Sequence, residues 1–298
     1  MPQKHQHNIT GALWMLLAGL SFAVVNSLSQ YVSARLGLHS TVVAFWEYFI
    51  SFVVMLPWII STGLASAFRT KRLGLHVVRV AFSVIGIQFW LWAMAVPVPI
   101  WQAIALLMTS PLMATAGSAI FLREKVTTGR WLAMLAGLAG AMVILQPWAD
   151  DFRLTSLLPL AAAFFWAGYS VLVKYMSHTE SPAVIVLYLL LLIAPFNFFL
   201  ALPNFTTPTR SMWLVLMAAG ILVALAQWSI AKAYENAEAS FVQPFDLVKL
   251  LWNVAAGWLV FQQVPPGSLW LGATLIVGAT LFLMFSEKKA GQSGLRGR

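Results

Sequence analysis

About ten apolar stretches of roughly 20 residues each, parted by short polar turns, run through this chain from end to end. At about 1.5 Å of rise per residue, such a stretch spans the hydrocarbon core of a bilayer as a helix. In lipid every backbone N–H and C=O must be satisfied within the segment, which a helix does. The pattern therefore implies an all-α integral membrane protein. Composition agrees: hydrophobic residues are 60% of the 298 and charged residues 9%, against ~45–50% and ~25% in soluble domains. No segment is long and polar enough to form a separate soluble domain, so ATP drive through a Gly-rich phosphate loop is not expected. Cysteine is absent, which excludes a disulfide, a thiol nucleophile and a cysteine metal site. His5, His7, His39, His76 and His178 fall in tails or loops or at span ends. A buried histidine relay, a metal site and a cofactor are accordingly not expected.

Ten spans are read at 10–32, 41–62, 75–95, 99–121, 129–147, 155–177, 183–202, 212–233, 239–261 and 267–286. Proline and glycine mark turns at Pro97-Val98-Pro99, Pro203 and Pro265-Pro266-Gly267. Lys4 before an apolar run is like a signal peptide, but the run continues past Ala23 to Tyr31 without a small-residue cleavage site, so it is read as a span. The net charge of +9 sorts by side. With the N-terminus inside, Lys4, Arg69, Lys71, Arg72, Arg79, Arg123, Lys125, Arg130, Lys174, Lys232, Lys288, Lys289, Arg296 and Arg298 fall at inner ends, and only Arg35, Arg153 and Arg210 fall outside. The positive-inside rule puts both termini in the cytoplasm and explains the basic balance without nucleic acid. Arg79, Lys174 and Lys232 are expected to snorkel to headgroups. Small residues four apart, as in Ala133, Gly137 and Ala141 or Ala136 and Gly140, suit close helix packing.

The chain divides near Pro147 to Leu154 into two five-span halves, 10–147 and 155–286, followed by a basic tail, 287–298. Offset by 144, Phe22 matches Trp166, Ala23 matches Ala167, and Tyr31 matches Tyr175; offset by 139, Leu122 matches Phe261 and Trp131 matches Trp270. Five is odd, so the halves insert in opposite orientations. Inverted repeats are a common transporter plan, with the site at midplane between them.

Two stretches resemble a known family: Thr109-Ser110-Pro111-Leu112 leading to Phe121-Leu122-Arg123-Glu124-Lys125, and Ala239-Ser240-Phe241-Val242-Gln243-Pro244-Phe245 leading to Gly257-Trp258-Leu259-Val260-Phe261. Both are similar to the two EamA repeats of the drug/metabolite transporter superfamily, over roughly 11–286. The resemblance implies ten transmembrane helices built as two inverted five-helix EamA repeats, a central cavity, alternating access, and the bacterial inner membrane. Bacterial members mostly export amino acids, related metabolites, dyes or drugs; some import compounds such as riboflavin or S-adenosylmethionine. Two departures keep a substrate from being carried over. Gln262 and Gln263 stand where the family often has a glutamate, although Glu124 remains in the first repeat, and Trp46-Glu47-Tyr48 stands where many members have an arginine in helix two.

A charge at bilayer depth costs roughly 2.5–3.5 kcal/mol on insertion scales and usually faces a bundle interior or a water-filled path. Lys249 and Asp246 lie inside an apolar run and, three apart, share a helix face. Asn253 and Gln243 extend that face into one polar stripe. Pro244 lacks an N–H, so the Ser240 carbonyl loses its helical partner, and Pro111 is read as a helix break in the first repeat. Lys249 is read as holding a substrate carboxylate or phosphate, with Asp246 orienting it or binding an amine; the competing reading is a structural ion pair. Glu47 is the candidate for proton coupling or for binding a substrate amine, against the plainer reading of a carboxylate satisfied by a neighbouring helix. Among many mid-span aromatics, Trp92, Trp166 and Tyr169 are the first choices for the cavity wall, since the first and third helices of each repeat often line the family's cavity. Gln88 and Asn26 are the better cavity candidates among the neutral polar residues.

A protease or lipid hydrolase needs a nucleophile with a base, or a metal set; no histidine or cysteine stands at depth, so an enzyme is not expected. A channel lines its pore with rings of like residues, which the buried opposite charges do not suit. The expectation is a secondary carrier of a small amino-acid-like zwitterion or organic anion, with export as the main reading and import of a metabolite such as S-adenosylmethionine or riboflavin as the alternative.

Overall fold

The computed structural model describes residues 2–61, 70, 72–123, 127–150, 152–176, 179–180, 182–236, 245 and 247–296. Among them there are helices and no strand. The helices are α1 (Pro2–Gln30), α2 (Ser40–Ser61), α3 (Leu73–Ala95), α4 (Ile100–Leu107), α5 (Ser110–Phe121), α6 (Thr128–Leu145), α7 (Leu158–Met176), α8 (Pro182–Ala201), α9 (Arg210–Asn236), α10 (Lys249–Phe261) and α11 (Gly267–Arg296). Among the described residues, seven helical segments are long and apolar enough to cross a membrane, and three shorter apolar helices, Trp131–Leu145, Lys249–Phe261 and Gly267–Phe282, overlap the remaining expected spans 129–147, 239–261 and 267–286. α11 continues through Arg296, so most of the segment expected as a tail is helical.

Helix ends follow local chemistry. α1 widens into a π-helical turn over Tyr31–Arg35, where Leu36 N donates to Tyr31 O, and Gly37 then takes a φ of 75°. α3 stops because Pro97 forces Val96 into extended backbone, with ψ at 166°. The span expected as one helix over 99–121 is two, α4 and α5, parted at Met108–Thr109. Pro111 sits in the first turn of α5, where its missing N–H is harmless to α5 but leaves Leu107 O without a helical donor. The span expected over 239–261 begins as α10 only at Lys249, after a turn at 247–248; Gln243, Pro244 and Asp246 lie outside the described residues.

The 139-residue offset reappears in the backbone. The break at Met108–Thr109 corresponds to the turn at Leu247–Val248, and left-handed Arg123 (φ 55°) corresponds to left-handed Gln262 (φ 57°). Packing has the same crosswise character when α4 and α5 are counted as one broken span. α1 packs on α9 and α3 on α7, α2 packs on α8, and α6 packs on α11. The α6–α11 crossing is closest where Gly140 faces Gly272. A Cβ on Gly140 would lie 2.6 Å from Gly272 O, and one on Gly272 would lie 2.5 Å from Gly140 O, the close approach that small residues permit. Leu132, Leu135 and Leu138 on α6, Leu259 on α10 and Leu271 on α11 are exposed. That surface suits lipid and not water.

Candidate functional site

α1, α2, α3 and α10 leave a cavity of about 160 Å³ between them, completed by α4, α7 and α9. α1 offers one face, with Phe22, Asn26 and Ser29 at i, i+4 and i+7. Glu47 and Tyr48 come from α2, Trp90 from α3, Trp166 from α7, and Lys249 and Asn253 from α10. A carboxyl group and an ammonium thus line one small apolar-walled space.

Glu47 is buried, and its Oε1 lies 2.5 Å from Ser29 Oγ, which in turn lies 2.8 Å from Val25 O. Ser29 has one hydroxyl proton. Ser29 Oγ therefore donates to Glu47 Oε1 or to Val25 O, the two acceptors competing for its one proton.

Lys249 stands in the first turn of α10, packed against α1 where Gly19 has no side chain; a Cβ there would lie 3.4 Å from Lys249 Cβ. One turn on, Asn253 is fully buried and its Nδ2 donates to Lys249 O at 2.7 Å. Asn26 Nδ2 donates to Asn253 Oδ1 at 2.8 Å, and Trp90 Nε1 donates to Asn26 Oδ1 at 3.1 Å.

The Trp90 and Trp166 rings stand 6.1 Å apart at 41°. Trp166 is anchored by its Nε1 to Ser83 O at 3.2 Å and fits against α3 because Gly86 has no Cβ; one added there would lie 2.7 Å from the indole. Gly86→Ala is expected to destabilise the fold by ~1–3 kcal/mol through overpacking and to displace Trp166. Thermal unfolding in detergent checks this; an unchanged midpoint would contradict the tight fit.

Of the residues expected at a site, the structure brings Lys249, Asn253, Glu47, Trp166 and Asn26 together at this cavity. Three others lie elsewhere. Trp92 is half exposed on the flank of α3: two residues along a helix turn the side chain by about 200°, so Trp90 takes the inward place. Tyr169 lies one turn beyond Trp166, where its hydroxyl accepts from Arg79 Nη1 at 3.2 Å. Gln88 ties α3 to α8 by donating to Asn197 Oδ1 at 2.6 Å. Ser29 and Phe22 carry no expectation for the cavity from sequence, their signal being the helical spacing from Asn26, and Trp90 is one of the mid-span aromatics ranked below Trp92.

Two further expectations are corrected near that end of α3. Arg79 does not snorkel: it is fully buried, donates from Nη2 to Ile185 O at 2.7 Å and lies 5.4 Å from the Tyr169 ring. His76 is also fully buried, 3.3 Å from Arg79 and stacked on Tyr188 at 4.2 Å. The interface of α3, α7 and α8 closes over both side chains before they reach the helix end. At the opposite end Gln263 joins α10 to α1 and α4: Ile100 N donates to Gln263 Oε1 at 2.9 Å, and Gln263 Nε2 donates to Gln30 Oε1 at 3.3 Å. A second cavity, of about 310 Å³, lies there between Gln30, Arg35, Pro97 and Gln263.

A multi-pass helical bundle around a small, part-polar cavity is the build of a membrane carrier. The sequence pattern of the EamA-like transporter family matches residues 9–146 and again residues 153–285, so the chain belongs to that family. It is 59% identical to a protein of Vibrio cholerae named riboflavin transporter, over 97% of each chain. It is 28% identical to a protein of Rickettsia conorii named S-adenosylmethionine uptake transporter, over 95% of each. A crystal structure 18% identical in sequence superposes with a TM-score of 0.59 over 90% of this chain and 97% of the other, a likeness of fold.

Proposed function

We propose that this chain carries riboflavin, or a flavin close to it, across the bacterial inner membrane into the cell, exposing its cavity to one side at a time. The observation that carries the reading is the cavity's make-up, two indoles beside an amide pair and two groups of opposite charge type. The full-length likeness to a named riboflavin transporter supports the choice of flavin. A flavin has a planar ring system and a polyol tail. Indole faces suit the ring. Hydroxyls both donate and accept, so Lys249 can donate to the tail and Glu47 can accept from it. The expected amino-acid-type substrate and its export give way here to the importer alternative, which the word "uptake" in the name of the Rickettsia relative also favours.

A cavity of about 160 Å³ holds a benzene-sized group, as an engineered one of ~150 Å³ does. Three fused rings need more, so the walls part on loading. Two inverted five-helix halves, α1–α6 and α7–α11, provide that movement; the crosswise packing and the matched breaks support this division. Both termini are cytoplasmic by the positive-inside rule. The Ser29–Glu47 contact supports proton coupling through Glu47. Expression in a bacterial strain that needs external riboflavin and has no carrier for it tests the reading. Growth and cell-associated flavin are expected at riboflavin levels where the empty strain fails. Protein present in the membrane without either would contradict it.

A further inference from the structure

The Asn26 and Asn253 carboxamides meet across the two halves of the chain, Asn26 on α1 and Asn253 on α10. Each is held at its far end by its own half. Asn26 Oδ1 accepts from Trp90 Nε1 of α3, and Asn253 Nδ2 donates to Lys249 O within α10. Their near ends share the 2.8 Å bond from Asn26 Nδ2 to Asn253 Oδ1. Both residues are buried. When the walls part to admit a ligand, this bond between α1 and α10 at the cavity must open, because its two amides are anchored to different halves. What remains is one N–H and one carbonyl oxygen, side by side, already oriented and out of water. Left unmet, each buried group carries a desolvation penalty.

A ligand edge with a C=O next to an N–H meets both at once. Its carbonyl accepts from Asn26 Nδ2, and its N–H donates to Asn253 Oδ1. We propose that the Asn26–Asn253 pair is the specificity element of the carrier, reading the cis-amide edge of a planar heteroaromatic ligand in place of the bond the two asparagines make with each other. This rests on the flavin reading above. In riboflavin the edge is the ring N3–H with a neighbouring carbonyl of the pyrimidinedione ring. Trp90, which orients Asn26, stands beside that edge and can face the ring plane. The empty and loaded states then satisfy the same two polar atoms, and a ligand lacking the edge leaves them unpaired.

The test is transport by the unaltered protein in proteoliposomes of riboflavin and of 3-methylriboflavin, in which the N3–H is replaced by N–CH₃. Sites built on a hydrogen bond reject ligands that lack it strongly, so kcat/KM for the methylated compound is expected to fall by at least about tenfold. In Asn253→Ala the same ratio is expected to fall to near unity, as riboflavin loses its advantage. Equal transport of both compounds by the unaltered protein would overturn the edge reading while leaving flavin transport standing. Transport of neither would overturn both. The comparison on the unaltered protein holds whether or not the variant inserts.

Discussion

In Lys249→Ala, riboflavin uptake falls roughly 10- to 100-fold while the amount of protein in the membrane stays unchanged. The magnitude comes from losing a hydrogen bond to a charged group in a buried site, ~1.5–3 kcal/mol. The second half of the expectation separates two roles. Lys249 occupies the first turn of α10, the positive end of the helix dipole, where a cation is unfavourable to the helix itself. The side chain lines the cavity with Glu47. A purely structural lysine behaves the other way: the alanine variant reaches the membrane poorly, and each molecule that arrives transports normally. Quantitative blotting of membranes alongside initial uptake rates distinguishes the two.

Glu47→Gln abolishes the dependence of uptake on pH. Under the proposed coupling, uptake by the unaltered protein is expected to rise as the outside is acidified, because a proton taken up at Glu47 on the outer side would be released inside. Glutamine keeps the hydrogen bond from Ser29, since its amide oxygen accepts where the carboxyl oxygen accepts. The Ser29 contact is preserved, and flux continues down a riboflavin gradient to within a few-fold of the unaltered rate, but it no longer responds to a proton gradient. Uptake measured from pH 5.5 to 8 is expected to be flat in the variant. A pH profile identical to that of the unaltered protein would return Glu47 to a structural role.

Charges could be read from the sequence because depth makes them costly: Lys249 and Glu47 stood out against an apolar background and both line the cavity. The spans were legible for the same reason. Which side of a span faces inward was not. A helix apolar all round shows no stripe, so Trp92 and Trp90 looked alike until packing turned one toward lipid and the other toward Asn26. Arg79 and His76 misled because nearness to a span end suggested headgroups, whereas three helices close over them. The break before α5 had a signal, Pro111, but its exact place at Met108–Thr109 depended on Thr109 turning back to bond Leu106 O. Gln263 was noted only as a departure from the family. Its amide both accepts from Ile100 N and donates to Gln30, and a carboxylate could accept but not donate.

Counterflow in proteoliposomes reports on the cavity and on alternating access together. Vesicles holding the purified protein and loaded with unlabelled riboflavin are diluted into a trace of labelled riboflavin. Transient accumulation of label above equilibrium, saturable and absent in Lys249→Ala, is the predicted result. Label that enters no faster than into protein-free vesicles would contradict riboflavin as the substrate, and undiminished counterflow in Lys249→Ala would remove the cavity from its path.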